Sequence, residues 1–143
     1  MTLYLDTSSL VKLYVEEAGS DEVRQDLAAA DVVVTSAVAF PEARATFARL
    51  RRDGAIPPAT LRAMKRDLDA DWPRYLVVEP TTALCRAAGE LAERYRLRGF
   101  DSIHLASFLQ VAKRARPSDT HFSSFDRRLN RAASAAVHSA TRR

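Results

Sequence analysis

Asp6, Glu42, Asp101 and Asp126 are spread along a chain of 143 residues, each at a point where the chain would pass from one element to the next. Asp6 ends the apolar run Leu3-Tyr4-Leu5 and precedes Thr7-Ser8-Ser9. Glu42 lies in a helical stretch after Thr35-Ser36, Asp101 follows Arg98-Gly99-Phe100, and Asp126 follows Phe122-Ser123-Ser124-Phe125. Carboxylates are hard oxygen donors of the kind Mg²⁺ or Mn²⁺ takes in octahedral geometry. Gathered by a fold, these four would make a metal-dependent site for phosphodiester cleavage. Each acid also has a simpler role available. Asp101 and Asp126 would serve as helix N-caps, Asp6 as a cap or turn acid, and Glu42 as a first-turn acid favoured by the helix dipole. Their surroundings weigh against that. Leu3-Tyr4-Leu5, Ala37-Val38-Ala39-Phe40 and Ile103 with Leu105 are apolar, and a carboxylate among core residues is costly unless something compensates it. No lysine is close in sequence to Glu42, Asp101 or Asp126; Lys12, the nearest to Asp6, is about one and a half helical turns on. Converging acids without basic partners repel one another, and a divalent cation relieves this.

The elements that must position these acids follow from apolar periodicity. Leu3-Tyr4-Leu5, the β-branched run Val32-Val33-Val34, Leu76-Val77-Val78 and, more weakly, His121-Phe122-Ser123 read as buried strands. Between them the pattern predicts helices: one capped by Ser8 or Ser9 and ended by Gly19, then 21–30, one capped by Thr35 or Ser36 and running to Arg52, 59–71, one started by Thr81 or Thr82 and running to Tyr95, 101–115, and a last one after Asp126. Pro41 falls early in the third helix, where it removes one backbone bond. Strands alternating with helices imply a parallel sheet covered on both faces, with ligands bound beyond the carboxyl ends of the strands. Asp6 and Asp126 each follow a candidate strand.

Composition fits one globular domain, 1–143, with 47 % hydrophobic and 28 % charged residues. No apolar run approaches the roughly 20 residues that span a bilayer, and the amino terminus has no basic start followed by an apolar stretch, so neither membrane nor export is expected. The single cysteine, Cys85, reads as a small core thiol in a reducing, cytoplasmic setting. A net charge of +4 is carried mainly by arginines in clusters, Arg94, Arg96 and Arg98 among them. Arginine forks suit phosphate.

The segment Asp6-Thr7-Ser8-Ser9-Leu10-Val11-Lys12-Leu13-Tyr14 resembles the opening motif of PIN-domain proteins, particularly the VapC-type toxins of bacterial toxin–antitoxin pairs. Thr35-Ser36 through Phe40-Pro41-Glu42-Ala43-Arg44 resembles the second motif, Gly99 to Ala106 the third, and Ser123 to Ala133 the fourth. The likeness covers nearly the whole chain, in order. It implies a three-layer α/β/α sandwich with a central, mainly parallel sheet of four to five strands. It also implies an Mg²⁺- or Mn²⁺-dependent endoribonuclease in which a metal-activated water hydrolyses RNA. Asp6, Glu42 and Asp101 would be the main ligands, with Asp126 as the more variable fourth. Thr7 and Ser124 would orient carboxylates and water. A small VapB-like antitoxin and a homodimer are the expected partners. The chain departs from the motif pattern after Ala133, where a glycine turn and a last apolar strand are missing, so 134–143 is expected to be a frayed tail.

Arg44, close to Glu42, is the basic residue expected to meet substrate. His104, three positions after Asp101, reads as a structural helix-face histidine, and Trp72 as packing between helix and strand. A covalent phosphotransferase built on Asp6 would need a second Asp where Ser8 stands. A phosphoacceptor receiver would need an acid pair after the first strand and a Lys after the last. The remaining alternative keeps the fold without catalysis, as a PIN-like module that binds RNA or protein.

Overall fold

The computed structural model describes residues 1–142. Four strands, β1 (Thr2–Leu5), β2 (Val32–Ser36), β3 (Leu76–Val78) and β4 (Thr120–Ser123), form one parallel sheet in the order β3-β2-β1-β4. Register is fixed by pairing Leu3 with Val33 and with His121, and Val34 with Leu76. The central strand shows why the sheet is covered on both faces. Leu3 and Leu5 point into one core and Tyr4 into the other, and all three are fully buried.

On the Leu3/Leu5 face lie α1 (Thr7–Val11), α2 (Ser20–Ala29), α3 (Ala39–Arg52) and α4 (Pro58–Asp71), with Leu10, Val23, Phe47 and Leu68 filling the layer. On the Tyr4 face lie α5 (Thr82–Tyr95), α6 (Gly99–Arg114) and α7 (Arg127–Thr141), contributing Leu84, Leu105 and Leu129. The result is the three-layer α/β/α arrangement with four strands. The chain winds outward from β1 through β2 to β3, then crosses back to place β4 on the other side of β1. Winding reverses between β1 and β4, and the crevice beyond their carboxyl ends is where such sheets bind ligands.

Several expectations change in detail. Asp6, not Ser8 or Ser9, caps α1, which ends at Val11. Gly19 ends nothing and instead occupies the N-cap of α2 at φ +94°. Thr35 and Ser36 belong to β2, with Thr35 Oγ1 donating to the Leu5 carbonyl at 2.8 Å, so α3 begins only at Ala39. Asp101 is not an N-cap: α6 starts two residues earlier, after Arg98. Residues 134–141 are not a frayed tail but the end of α7, because Ala132, Ala133 and Ala136 give that segment a buried apolar side. Cys85 is exposed, since the buried positions of α5 are Leu84 and Ala88.

Candidate active site

Asp6 follows the last residue of β1 and is buried, with 3 % exposure. As the N-cap of α1 it turns its carboxylate back on the chain. Oδ1 accepts from the Ser9 amide at 2.9 Å and from Ser8 Oγ at 2.7 Å, while Oδ2 accepts from Ser124 Oγ at 2.6 Å. Ser124 follows β4, so one hydrogen bond ties the two strand ends that flank the crevice. Burial pushes the Asp6 carboxyl above its ordinary value, and the donors on Ser124, Ser8 and Ser9 only partly offset this.

Glu42, in the first turn of α3, is half-buried. Thr7 Oγ1 donates to its Oε1 at 2.6 Å, and His104 Nε2 lies 3.1 Å from the same oxygen. With Nε2–H donating to Glu42, the other ring nitrogen, Nδ1, stands 2.9 Å from the Tyr4 hydroxyl. Burial raises the Tyr4 pKa, which keeps that hydroxyl a donor. Burial also pushes Glu42 upward, but the hydrogen bonds from His104 and Thr7 and the charge on Arg98 outweigh it and hold the carboxyl below its usual range.

Asp101 and Asp126 complete the ring through Arg98. The exposed guanidinium of Arg98 donates from Nε to Asp101 at 3.2 Å and stands 3.8 Å from Asp126. Asp126 also caps α7, accepting from the Leu129 amide at 3.0 Å. Ser124 serves twice: its oxygen accepts from the Asp126 amide, and its carbonyl accepts from Asn130 Nδ2 at 2.8 Å. Hydrogen bonds and ion pairs thus link Asp6 to Ser124, Thr7 to Glu42, and Asp101 and Asp126 to Arg98, and Glu42 and Asp101 line one groove. Arg44 does not reach them. Its guanidinium lies 5.8 Å from the centre of the Phe40 ring, which packs against Trp72. The contacts of His104 with Glu42 and of Arg98 with Asp101 and Asp126 are ones that sequence spacing does not give.

The donors are of the kind a hard cation takes: Asp6 is held only by hydroxyls and a backbone amide and makes no ion pair among the described residues, while Arg98 pairs with Asp101 and Asp126 and His104 with Glu42. Among the described residues, no three Asp, Glu, His or Cys side chains stand close enough to grip one ion together. Carboxylate oxygens are the donor type that Mg²⁺ or Mn²⁺ takes, and Mg²⁺ is commonly held through one or two of them with water filling the other positions.

The PIN-domain family profile matches residues 3–135. This chain belongs to the PIN-domain family. A curated PIN relative, the ribonuclease VapC45 of Mycobacterium tuberculosis, is 34 % identical over 134 residues, covering 94 % of this chain and 90 % of its own length. Among solved structures the PIN fold is shared with M. tuberculosis VapC20, a toxin that cleaves the sarcin-ricin loop. The match has a TM-score of 0.64 at 20 % identity, covering 91 % of this chain and 94 % of that one. A toxin–antitoxin complex from Klebsiella pneumoniae matches with a TM-score of 0.60 at 15 % identity, over 87 % and 86 % of the two chains. No helix among the described residues of this PIN domain is long and apolar enough to cross a membrane.

Proposed function

We propose that this PIN domain is a divalent-metal-dependent endoribonuclease and the toxin of a toxin–antitoxin pair. The observation that carries this is the ring of Asp6, Glu42, Asp101 and Asp126 at the point where the sheet reverses its winding, tied together by Thr7, Ser124, His104 and Arg98. The 34 % identity to a protein named ribonuclease VapC45 supports RNA as the substrate. Asp6, Glu42, Asp101 and Asp126 would hold Mg²⁺ or Mn²⁺. Bound there, the ion supplies Lewis-acid charge at a phosphate and an acidified water.

The chain's own groups do the rest. Thr7 and His104 lock Glu42, and Ser8, Ser9 and Ser124 lock Asp6, so neither carboxylate must reorganise during reaction. A carboxylate of the ring takes the proton of the attacking water. Cleavage then leaves a 5′-phosphate and a 3′-hydroxyl without using the ribose 2′-OH as nucleophile. Arg98, exposed and paired with two of the acids, would be free to bind the phosphate if those acids held a cation. Arg44 meets RNA further from the acids, beside Phe40. A small VapB-like antitoxin blocks the crevice, the toxin pairs as a homodimer, and the protein acts in the cytoplasm. The toxin–antitoxin complex sharing this fold supports the first of these partners.

One observation favours a second reading, a non-catalytic module that binds RNA or protein: no three ligating side chains converge among the described residues. Incubating total RNA with the purified protein and Mn²⁺ separates the two. Fragments bearing 5′-phosphates and 3′-hydroxyls establish the nuclease. Intact RNA with the folded, partner-free protein establishes the module.

A further inference from the structure

Of the four glycines, two are explained by their backbone: Gly19 and Gly54 have φ of +94° and +74°. Gly89 and Gly99 have ordinary φ, and a Cβ built on either meets no atom within 4 Å. Gly89 sits inside α5, where glycine is less stable than alanine. Neither conformation nor packing within the chain asks for glycine at these two positions. Both line one groove of about 630 Å³ between α5 and the start of α6, together with Cys85, Ala88, Ala92 and Phe100. Glu42, Arg98 and Asp101 line the same groove. Phe100 leaves 56 % of its surface in solvent, one of the few large apolar side chains to do so.

We propose that this groove is a nucleotide subsite, which takes the unpaired base next to the scissile phosphate. The inference rests on the endoribonuclease function proposed above and deepens it. An RNA strand whose phosphate lies at Glu42 and Asp101 must lay a neighbouring nucleotide along one side of the crevice. On this side it meets a bare aromatic face for the base. It also meets two positions without side chains, where sugar and phosphate approach the backbone closely, and the guanidinium of Arg98 for charge. A base inside a duplex has both faces stacked and cannot enter, so the subsite selects a loop or a single strand. The Arg98 guanidinium suits a phosphate and the exposed Phe100 ring suits a base, so charge and shape together favour the nucleotide.

The test fills the groove without straining the fold. In Gly89→Leu an allowed helical φ is kept and the side chain projects into the groove; Phe100→Ala removes the stacking face and Phe100→Trp restores one. Each variant is first confirmed folded by thermal melting. Affinity for a fluorescein-labelled single-stranded ten-nucleotide RNA is measured by anisotropy with Ca²⁺ in place of Mg²⁺, the strand being checked intact on a gel. KM and kcat for the same RNA are measured with Mn²⁺. Gly89→Leu and Phe100→Ala are expected to weaken binding and raise KM roughly ten-fold, with kcat changed less and Phe100→Trp close to wild type. Variants that bind and cut this RNA as the wild type does overturn the subsite while leaving the nuclease intact. A folded wild type that neither binds nor cuts it overturns both.

Discussion

Asp6 carries its charge among hydroxyls and a backbone amide, buried, with no cationic side chain bonded to it among the described residues. Its folded pKa is raised by that burial, so the folded state holds the proton more tightly than the unfolded chain. The stability this contributes is fully present below the ordinary aspartate pKa and is lost as pH rises through the folded value. Metal-free Asp6→Asn is therefore expected to melt higher than wild type at neutral pH, the gap closing toward about pH 3. A melting temperature that falls at pH 7 would contradict this. Glu42 has the opposite sign. Its lowered pKa contributes stability above the ordinary glutamate value that is lost as pH falls through the folded value, so Glu42→Gln should melt lower at neutral pH. His104 belongs at the same scale. In His104→Leu the Tyr4 hydroxyl would lose its buried partner, at a cost of about 1–3 kcal/mol readable in urea unfolding. None of this was visible from spacing, because the ring's partners Tyr4, Thr7 and Glu42 lie 100, 97 and 62 residues away in sequence. His104 itself was read as structural. The fold makes it structural and site-forming at once, since the group it braces is Glu42.

Helices and strands show where local pattern sufficed and where it did not. Val32–Ser36 and Leu76–Val78 were legible because continuous β-branched and apolar runs leave few other homes. Thr81 was legible as a cap because its hydroxyl needs only the Leu84 amide, three residues on. The first helix was misjudged because a contact across the fold decides it. Gly19 is favoured by its left-handed φ, and an added Cβ would stand 2.6 Å from the Phe125 ring, which would have to shift. Gly19→Ala is thus expected to cost at least about 1–2 kcal/mol, measured by denaturant unfolding; an unchanged midpoint would refute the contact. Gly89→Ala should do the reverse, adding roughly 0.5–1 kcal/mol of stability while narrowing the groove. Arg98 stands out in the sequence only as one of a cluster of arginines, and its pairing with the acids is not legible there for a related reason. α5 ends at Arg96 in the left-handed region at φ 55°, with no glycine to announce the turn that carries Arg98 over Asp101 and Asp126.

At the scale of the whole molecule, topology gathers what the sequence scatters. Asp6 and Asp126 are 120 positions apart yet lie on either side of the junction of β1 and β4, because that pair flanks the reversal of winding. The order of strands and helices made that much readable. The edge of the sheet was not readable, since the alanine-rich segment after Ala133 packs as helix once α6 is present to cover it. A net charge of +4 with clustered arginines gives a polyanion-binding character that salt screens. If about three phosphates are neutralised, log–log plots of RNA affinity against salt should slope near −2; a flat plot would remove the arginines from the interface. Total RNA incubated with Mn²⁺, with EDTA, and with Asp6→Ala in place of wild type shows whether the carboxylates cut RNA. Discrete fragments that need the metal and vanish in the variant are the predicted result. Cleavage that survives both EDTA and Asp6→Ala would mean that the carboxylate ring is not the site.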